Sequence, residues 1–281
     1  MADAARIVLI TGCSTGIGRE LTNAFAARGC RVVATARRPE ALADLAGERV
    51  RALALDVTDQ ASIRAAVADV LATEGRVDVL VNNAGYGQFG PIAELPLDAL
   101  RRQLETNVVG ALAVAQAVAP SMVARGGGLI VNVGSVSGLV TTPFSGAYGA
   151  SKAALHAISD ALRLELQPFG VRVTTLQPGA VRSAFSGTAS ASIAGIDWAT
   201  SRYAPVREAV EARARTADST GMPVEQFARE TVDVLLADPP PVVDRRGPNA
   251  AMMWFLHLLP AAVRDRKLRA RFGLDRLRTS T

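Results

Sequence analysis

A single-domain, doubly wound α/β fold, with a parallel sheet of six to seven strands and helices on both faces, is predicted by three features of the sequence. Strand-like and helix-like stretches alternate from the start of the chain, the order of a parallel sheet built from crossover units. The strand-like stretches are nearly continuous Val, Ile and Leu runs, as burial on both faces requires. A glycine-rich turn, Thr11–Gly18, joins the first strand to the first helix.

The elements follow in order. Ile7–Thr11 is a strand, and Ile17–Arg28 a helix with Ile17, Leu21, Ala24 and Phe25 on one side. Arg31–Thr35 is a second strand and Pro39–Leu45 a short helix. Val50–Leu55 is a third strand, and Asp59–Glu74 a helix with Thr58 as its N-cap. Val77–Val81 is the fourth strand, and one long helix covers Asp98–Arg125 up to the break at Gly126, Gly127 and Gly128. Leu129–Val133 is the fifth strand, Ala147–Leu166 a helix closed by Pro168 and Gly170, and Val171–Leu176 the sixth strand. Right-handed crossovers then place helices on both faces.

Beyond Pro178 the pattern weakens. The stretch 181–219 is rich in Ala, Ser, Thr and Gly, and Val224–Ala237 reads as a helix. A seventh strand near Val242–Val243 has little support, since it follows three prolines, which fit only at a strand edge or start. Neither an internal repeat nor a low-complexity linker divides the 281 residues. They read as one domain, with a core over 6–183, a substrate flap over 184–221 and a C-terminal apolar and basic segment over 249–272.

The composition, 49% hydrophobic and 20% charged, suits a chain that buries a core and excludes a disordered one. Cys13 and Cys30 are too few for a disulfide framework and form no CxxC pair, so reduced thiols in a cytoplasmic protein are expected. The first strand begins at Ile7, which leaves no signal peptide in this reading. The net charge is +5. From Asp244 onward nine Arg and Lys, ending at Arg276 and Arg278, face three Asp, so the tail carries +6 and the rest about −1. With the basic charge confined to the tail and the 13 aromatics scattered, no nucleic-acid partner is expected.

In the turn, Gly12, Gly16 and Gly18 allow a sharp bend and close approach to a pyrophosphate, and the following helix start presents N–H groups and a positive dipole end to it. Placed after a strand and before a helix, the pattern reads as a Rossmann-type dinucleotide site. A site for NAD carries an acidic residue at the end of the second strand to bond the ribose 2′-OH. Here Ala36 is followed by Arg37 and Arg38, and an arginine fork matches a 2′-phosphate. Arg37, with the Ser14 hydroxyl, therefore selects NADP(H). Asp56, after the third strand, is either an adenine-amine acceptor or a turn residue.

Thr11–Gly18, Asn82-Asn83-Ala84-Gly85, Ser135, Tyr148-x-x-x-Lys152 and Pro178-Gly179 occur in this order. The set resembles the short-chain dehydrogenase/reductase (SDR) family, closely from Arg6 to about Ser183. The resemblance implies hydride transfer between a nicotinamide cofactor and a small-molecule carbonyl or alcohol. It implies catalytic roles for Asn107, Ser135, Tyr148 and Lys152, with Asn107 holding a relay water. Cofactor contacts are implied for Gly12, Ser14, Thr15, Gly16, Ile17, Gly18, Arg37, Asp56, Val57, Asn83, Ala84, Gly85, Tyr148, Lys152, Pro178, Gly179, Val181 and Ser183. It also implies a homodimer or homotetramer. Two departures stand out: Gly134 where the family often has Ser, which widens the cofactor site in this reading, and Ser183 where it usually has Thr.

The chemistry accounts for the residue types. A carbonyl that takes a hydride at carbon must take a proton at oxygen, and a free tyrosine, with a pKa of about 10, is a poor match to neutral pH. Lys152 lies one helical turn from Tyr148, and its ammonium is expected to lower that pKa. Ser135, at the carboxyl edge of the fifth strand, can steady the substrate oxygen. Ser137 is a rival for that role, and His156 reads as a packing or surface histidine rather than a base.

In the flap, Phe185, Ile193, Ile196, Trp198 and Tyr203 either wall a pocket for a hydrophobic substrate or pack the flap down. The tail, Asn249–Leu259 followed by basic Arg264–Arg271, is placed like the C-terminal segments of steroid- and retinol-type members. It caps the cleft, touches a membrane surface, or packs on the body or a subunit interface. Two rivals remain: an NADP-binding sensor or scaffold of the same fold, which generally lacks the Tyr/Lys pair, and an epimerase or dehydratase, which usually carries a larger C-terminal domain.

Overall fold

The computed structural model describes residues 5–277. Its strands are β1 (Ile7–Ile10), β2 (Arg31–Ala36), β3 (Val50–Ala54), β4 (Val79–Asn82), β5 (Gly128–Val133), β6 (Val171–Leu176), β7 (Val181–Arg182), β8 (Met222–Pro223) and β9 (Val243–Asp244). Seven form one parallel sheet in the order β3-β2-β1-β4-β5-β6-β9, while β7 and β8 pair apart from it. The weakly supported seventh strand is present one residue later than expected: Val243 and Asp244 pair with Thr175 and Leu176, just after the prolines.

The apolar runs are continuous because successive side chains leave opposite faces and both faces are covered. Val8 and Ile10 pack with Leu21 and Phe25 of α1 (Gly16–Ala27) and Val232 and Leu235 of α9 (Val224–Leu235). Leu9 and Leu80 pack on the other face with Ile63, Val67 and Val70 of α2 (Gln60–Glu74) and Val114, Val118 and Met122 of α4 (Gly110–Ala124). Each such side chain contributes roughly 1.5–3 kcal/mol on burial.

Several local expectations are corrected. The predicted helix over 98–125 is present as one run, Leu97–Ala124, but it is not uniformly α: α3 (Leu97–Leu104) passes through a π-helical turn, Glu105–Val109, into α4. The short element after β2 is a 3-10 turn, Pro39–Leu42. The cap of α2 is Asp59, which accepts from Ala61 N, because the hydroxyl of Thr58 is taken by Asp56 at 2.8 Å. β4 starts two residues later than expected because Asp78 is engaged by Ile7 N (2.7 Å) and by Arg76.

The remaining helices are α5 (Gly146–Leu166), α6 (Phe185–Ile193), α7 (Arg207–Ala214), α8 (Thr216–Thr220), α10 (Ala250–Leu258) and α11 (Ala261–Arg271). The flap and tail helices form a third apolar cluster that includes Phe89, Phe144, Tyr148, Ile193, Val210, Met253 and Phe272. All five predicted wall residues, Phe185, Ile193, Ile196, Trp198 and Tyr203, belong to this cluster or pack against it. The cluster lies over the carboxyl edge of the sheet, where β1 and β4 send their crossovers in opposite directions and open a crevice. Arg278, counted in the basic tail, lies outside the described residues.

Candidate active site

The glycine turn is laced to the loop after β4. Asn83 Nδ2 donates to Thr11 O and Gly12 O at 2.9 Å each, and the Thr11 hydroxyl accepts from Asn83 N and Ala84 N at 3.0 Å each. Gly12 has φ +73°, and a Cβ there would fall 2.7 Å from Ala84 Cα. A Cβ on Gly18 would strike Asn83 Nδ2 and lie 2.5 Å from Gly12 O, so Gly18 serves the turn from behind. No side chain caps the first turn of α1 after Thr15, so its amides are open to an anion.

A cleft of about 1390 Å³ runs from this turn to α5. Gly12, Ser14, Thr15, Gly16, Ile17, Arg37, Asp56 and Val57 line one end, and Asn83, Ala84 and Gly85 the middle. Ser135, Tyr148 and Lys152 line the other end, and Pro178, Gly179, Val181 and Ser183 line the cleft too, Ser183 beside the turn, where a Cβ on Gly16 would lie 3.5 Å from its Cβ. Two of the expected site residues, Gly18 and Asn107, do not line it. Arg37 is exposed and has no carboxylate within 4.0 Å among the described residues. Asp56 lines the cleft and also holds its turn, accepting from Thr58 N at 2.9 Å.

Tyr148 and Lys152 share one face of α5. Lys152 Nζ donates to Val133 O at 2.7 Å and stands 5.8 Å from the Tyr148 ring centre. The expected lowering of the tyrosine pKa by Lys152 does not hold. Burial raises it above its ordinary value, opposed by a hydrogen bond with Ser135 and by the positive charge of Arg213. Burial also pushes the Lys152 ammonium down to about 8. The lysine reaches for the end of β5 rather than for the phenol oxygen, which explains the difference.

Ser135 caps a short 3-10 turn, its hydroxyl accepting from Ser137 N at 3.1 Å. Asn107 sits on the π turn, buried behind the cleft. Its Oδ1 accepts from Tyr86 N (3.1 Å), and its Nδ2 donates to Tyr86 O (3.0 Å) and Ser151 Oγ (3.1 Å). A buried ladder of Asn82, Asn132 and Ser159, with bonds of 2.9 and 2.8 Å, ties β4, β5 and α5 together beneath it.

His156 accounts for Gly134. A Cβ on Gly134 would overlap His156 Nε2 and lie 2.8 Å from Leu176 O, and one on Gly138 would lie 2.6 Å from His156 Cε1. The space left by the two glycines is thus filled by the imidazole and does not widen the cofactor site as expected. Its Nε2 accepts from Ser135 N at 3.4 Å, and burial, the first cause, pushes its pKa down to about 4. Cys13 is buried with its thiol raised to about 11, so it packs rather than reacts. No cluster of three or more His, Cys, Asp or Glu is placed to hold a metal among the described residues.

Arg213 of α7 lines the cleft and was not foreseen, while Lys267 and Arg271 of α11, which also line it, belong to the basic segment for which capping the cleft was one expectation. One signal was present for Arg213: no acidic residue lies three or four positions away on its helix, whereas Arg207 and Arg215 both pair with Glu211. Of the predicted apolar wall only Phe185 lines the cleft. The tail does line it, through Met252, Phe255 and Leu256 among others.

The family model for short chain dehydrogenase matches residues 6–193. A short-chain dehydrogenase/reductase from Pestalotiopsis microspora is 38% identical over 98% of this chain and 97% of its own. A short chain dehydrogenase from Burkholderia cenocepacia, solved with NADP, superposes with a TM-score of 0.73 at 27% identity over 95% of this chain and 97% of its own. A short chain dehydrogenase/reductase from Burkholderia phymatum, solved with NAD, gives 0.73 at 25% identity over 85% of this chain and 88% of its own. The order of the motifs, the sheet that carries them and this match over most of the chain agree: the protein belongs to the short-chain dehydrogenase family.

Proposed function

We propose that the protein is an NADP(H)-dependent oxidoreductase that interconverts a carbonyl and its alcohol on a substrate with a large apolar part, Tyr148 being the proton donor and acceptor. The observation that carries this reading is the convergence of Ser135, Tyr148 and Lys152 at one end of a cleft whose other end is an uncapped helix start.

The residues present fit a nicotinamide dinucleotide. The open amides of α1 and the bend at Gly12 would take its pyrophosphate, Arg37 and Ser14 a 2′-phosphate, and the two remaining donors of Lys152 its nicotinamide ribose. The group supplies or accepts a hydride. Every proton falls to the chain. In reduction the Tyr148 hydroxyl donates to the substrate oxygen, and in oxidation the phenolate takes the proton back. The Ser135 hydroxyl donates to the same oxygen as negative charge grows there. The positive charge of Arg213 favours the phenolate once the proton has left. Asn107 is a positioning residue that ties the loop at Tyr86 to Ser151, the residue before Lys152. Family members with NADP and with NAD both superpose on this chain, so the preference rests on Arg37 standing where an acidic residue would repel the phosphate.

The test is NADPH consumption with a panel of hydrophobic ketones, aldehydes and quinones, repeated with NADH and with Tyr148→Phe. Turnover should prefer NADPH and fall by about 10²- to 10⁴-fold in the variant, the range of a positioned acid–base group. Equal rates in both proteins would remove Tyr148 from the chemistry. Tight NADPH binding without consumption of any carbonyl would favour the sensor reading.

A further inference from the structure

We propose that the substrate is an amphiphile whose anionic group, a carboxylate or a phosphate, is held by Arg213 with Lys267 and Arg271. This rests on the reading above and supplies its substrate class.

Arg213 is the least explained charge of the substrate end. It lines the cleft from α7 and has no carboxylate within 4.0 Å among the described residues. Its Nε donates to Thr142 Oγ1 at 2.7 Å, and one terminal nitrogen lies 3.5 Å from Ser137 Oγ. A guanidinium has five N–H donors, and these contacts use two. The guanidinium carbon lies 5.0 Å from the centre of the Phe89 ring, which in turn stacks on Tyr148 at 5.7 Å. The charge is therefore fixed one aromatic ring away from the proton donor.

Two further cations, both exposed, line the cleft, and Arg271 stands close enough for its charge to act on Arg213. They are Lys267 and Arg271, a helical turn apart on α11, and neither has a carboxylate partner among the described residues. Burial pulls the Arg213 pKa down to about 10, the negative charge that Tyr148 carries when ionised opposes that pull, and the like charge of Arg271 adds to it. Among the described residues the only acidic one lining the cleft is Asp56, which follows β3 and lines it together with Arg37. Three unneutralised cations around one partly desolvated pocket repel each other and focus a positive field, and an anion seated among them relieves both costs. A charged nicotinamide dinucleotide cannot serve as that anion here, since its phosphates belong at the glycine turn. The same cleft is otherwise walled by apolar side chains, among them Phe89, Phe185, Met253, Phe255, Leu256 and Phe272. The pocket thus matches an apolar body with one acidic end.

The experiment uses the full-length chain with NADPH and three matched aliphatic ketones: an oxo-carboxylic acid, its methyl ester and a phosphate monoester of equal length. The wild-type protein should prefer one anionic substrate over the ester by at least about tenfold in kcat/KM, the scale of one charge-assisted hydrogen bond. The preference should sit in KM and shrink with added salt. Whichever anion is preferred identifies the group. In Arg213→Gln the ratio of anion to ester should collapse toward one, whatever happens to either rate, and Arg213→Lys should keep part of it. Arg271→Gln, at an exposed position where folding is not at stake, should lower the ratio several-fold. A wild-type ratio at or below one, or a ratio that neither glutamine variant changes, overturns the proposal.

Calorimetric binding of decanoate against decanol, with NADPH present, reads the pocket without turnover. Decanoate should bind more tightly and lose that advantage in Arg213→Gln, while decanol binding as well as decanoate would count against the proposal. If no carbonyl is reduced yet decanoate binds through Arg213, the oxidoreductase reading fails and the anion pocket stands.

Discussion

Lowering the pH from about 7 to about 4 should unfold this protein partly through one imidazole. His156 lies in the space left by Gly134 and Gly138, and burial holds its pKa near 4 against an ordinary 6.5. The charges that face it are Lys152 and Arg245, which push the same way, and Asp160, which opposes them. The unfolded chain takes up a proton at about pH 6.5, whereas the folded chain takes it up only near 4. Stability from this group is therefore complete above about pH 6.5 and is lost progressively as the pH falls toward 4. The slope is about 1.4 kcal/mol per pH unit, and the 2.5-unit gap sets a ceiling of about 3.4 kcal/mol. Because the ring is partly exposed, roughly 2 kcal/mol is the figure to expect. The assay is urea unfolding of the wild type and of His156→Gln across that range. Both curves fall as carboxylates are protonated, but the wild type should fall faster by this amount. The protonated ring also loses its acceptor for Ser135 N, so activity should decline in step. Parallel stability curves would show that the imidazole titrates normally and that its burial has no such consequence.

Two other outcomes follow from the site. Arg37→Asp should reverse the nucleotide preference, weakening NADPH in KM by about ten- to a hundredfold while improving NADH, since a charge-assisted fork to phosphate is replaced by repulsion; an unchanged ratio of the two KM values would place the arginine in solvent. Gly18→Ala should destabilise the fold by about 1–3 kcal/mol and lower the melting temperature, because its Cβ must displace Asn83 and lies 2.5 Å from Gly12 O; an unaltered melting curve would mean that the two loops are not laced as described.

How far the chain could be read without its structure depended on whether a feature repeats. The strands were legible because two-sided burial writes itself over four to six consecutive residues, and the glycine turn because a strand and a helix frame it. The π turn at Asn107 was not legible, since a single extra residue changes neither composition nor apolar spacing enough to register. The cap of α2 turned on one contact: Thr58 and Asp59 are both competent, and Asp56 engages the threonine. The direction of the Tyr148 shift was misread for a related reason. Helical spacing places Lys152 on the right face, but only coordinates reveal that its Nζ turns to Val133 O while the phenol is buried. Gly134 looked like added room because its filler, His156, lies 22 residues further along the chain. Arg213 was missed because an arginine without a helical partner is conspicuous only once its surroundings are known.

The pairing of β7 with β8 has a consequence for how such a protein diversifies. The chain leaves the body at Val181 and Arg182 and returns at Met222 and Pro223, side by side with them. Everything between these stems is a closed excursion whose ends are already fastened. Its length and composition can change with little effect on the sheet, since doubling such a loop costs only about 0.6 kcal/mol of closure entropy. The excursion carries Phe185 and Arg213 to the reacting end of the cleft, whereas Ser135, Tyr148 and Lys152 stand on the frame that it leaves behind. In the proposed reaction, chemistry and choice of substrate thereby fall to separately replaceable parts, the second of which behaves as a cassette.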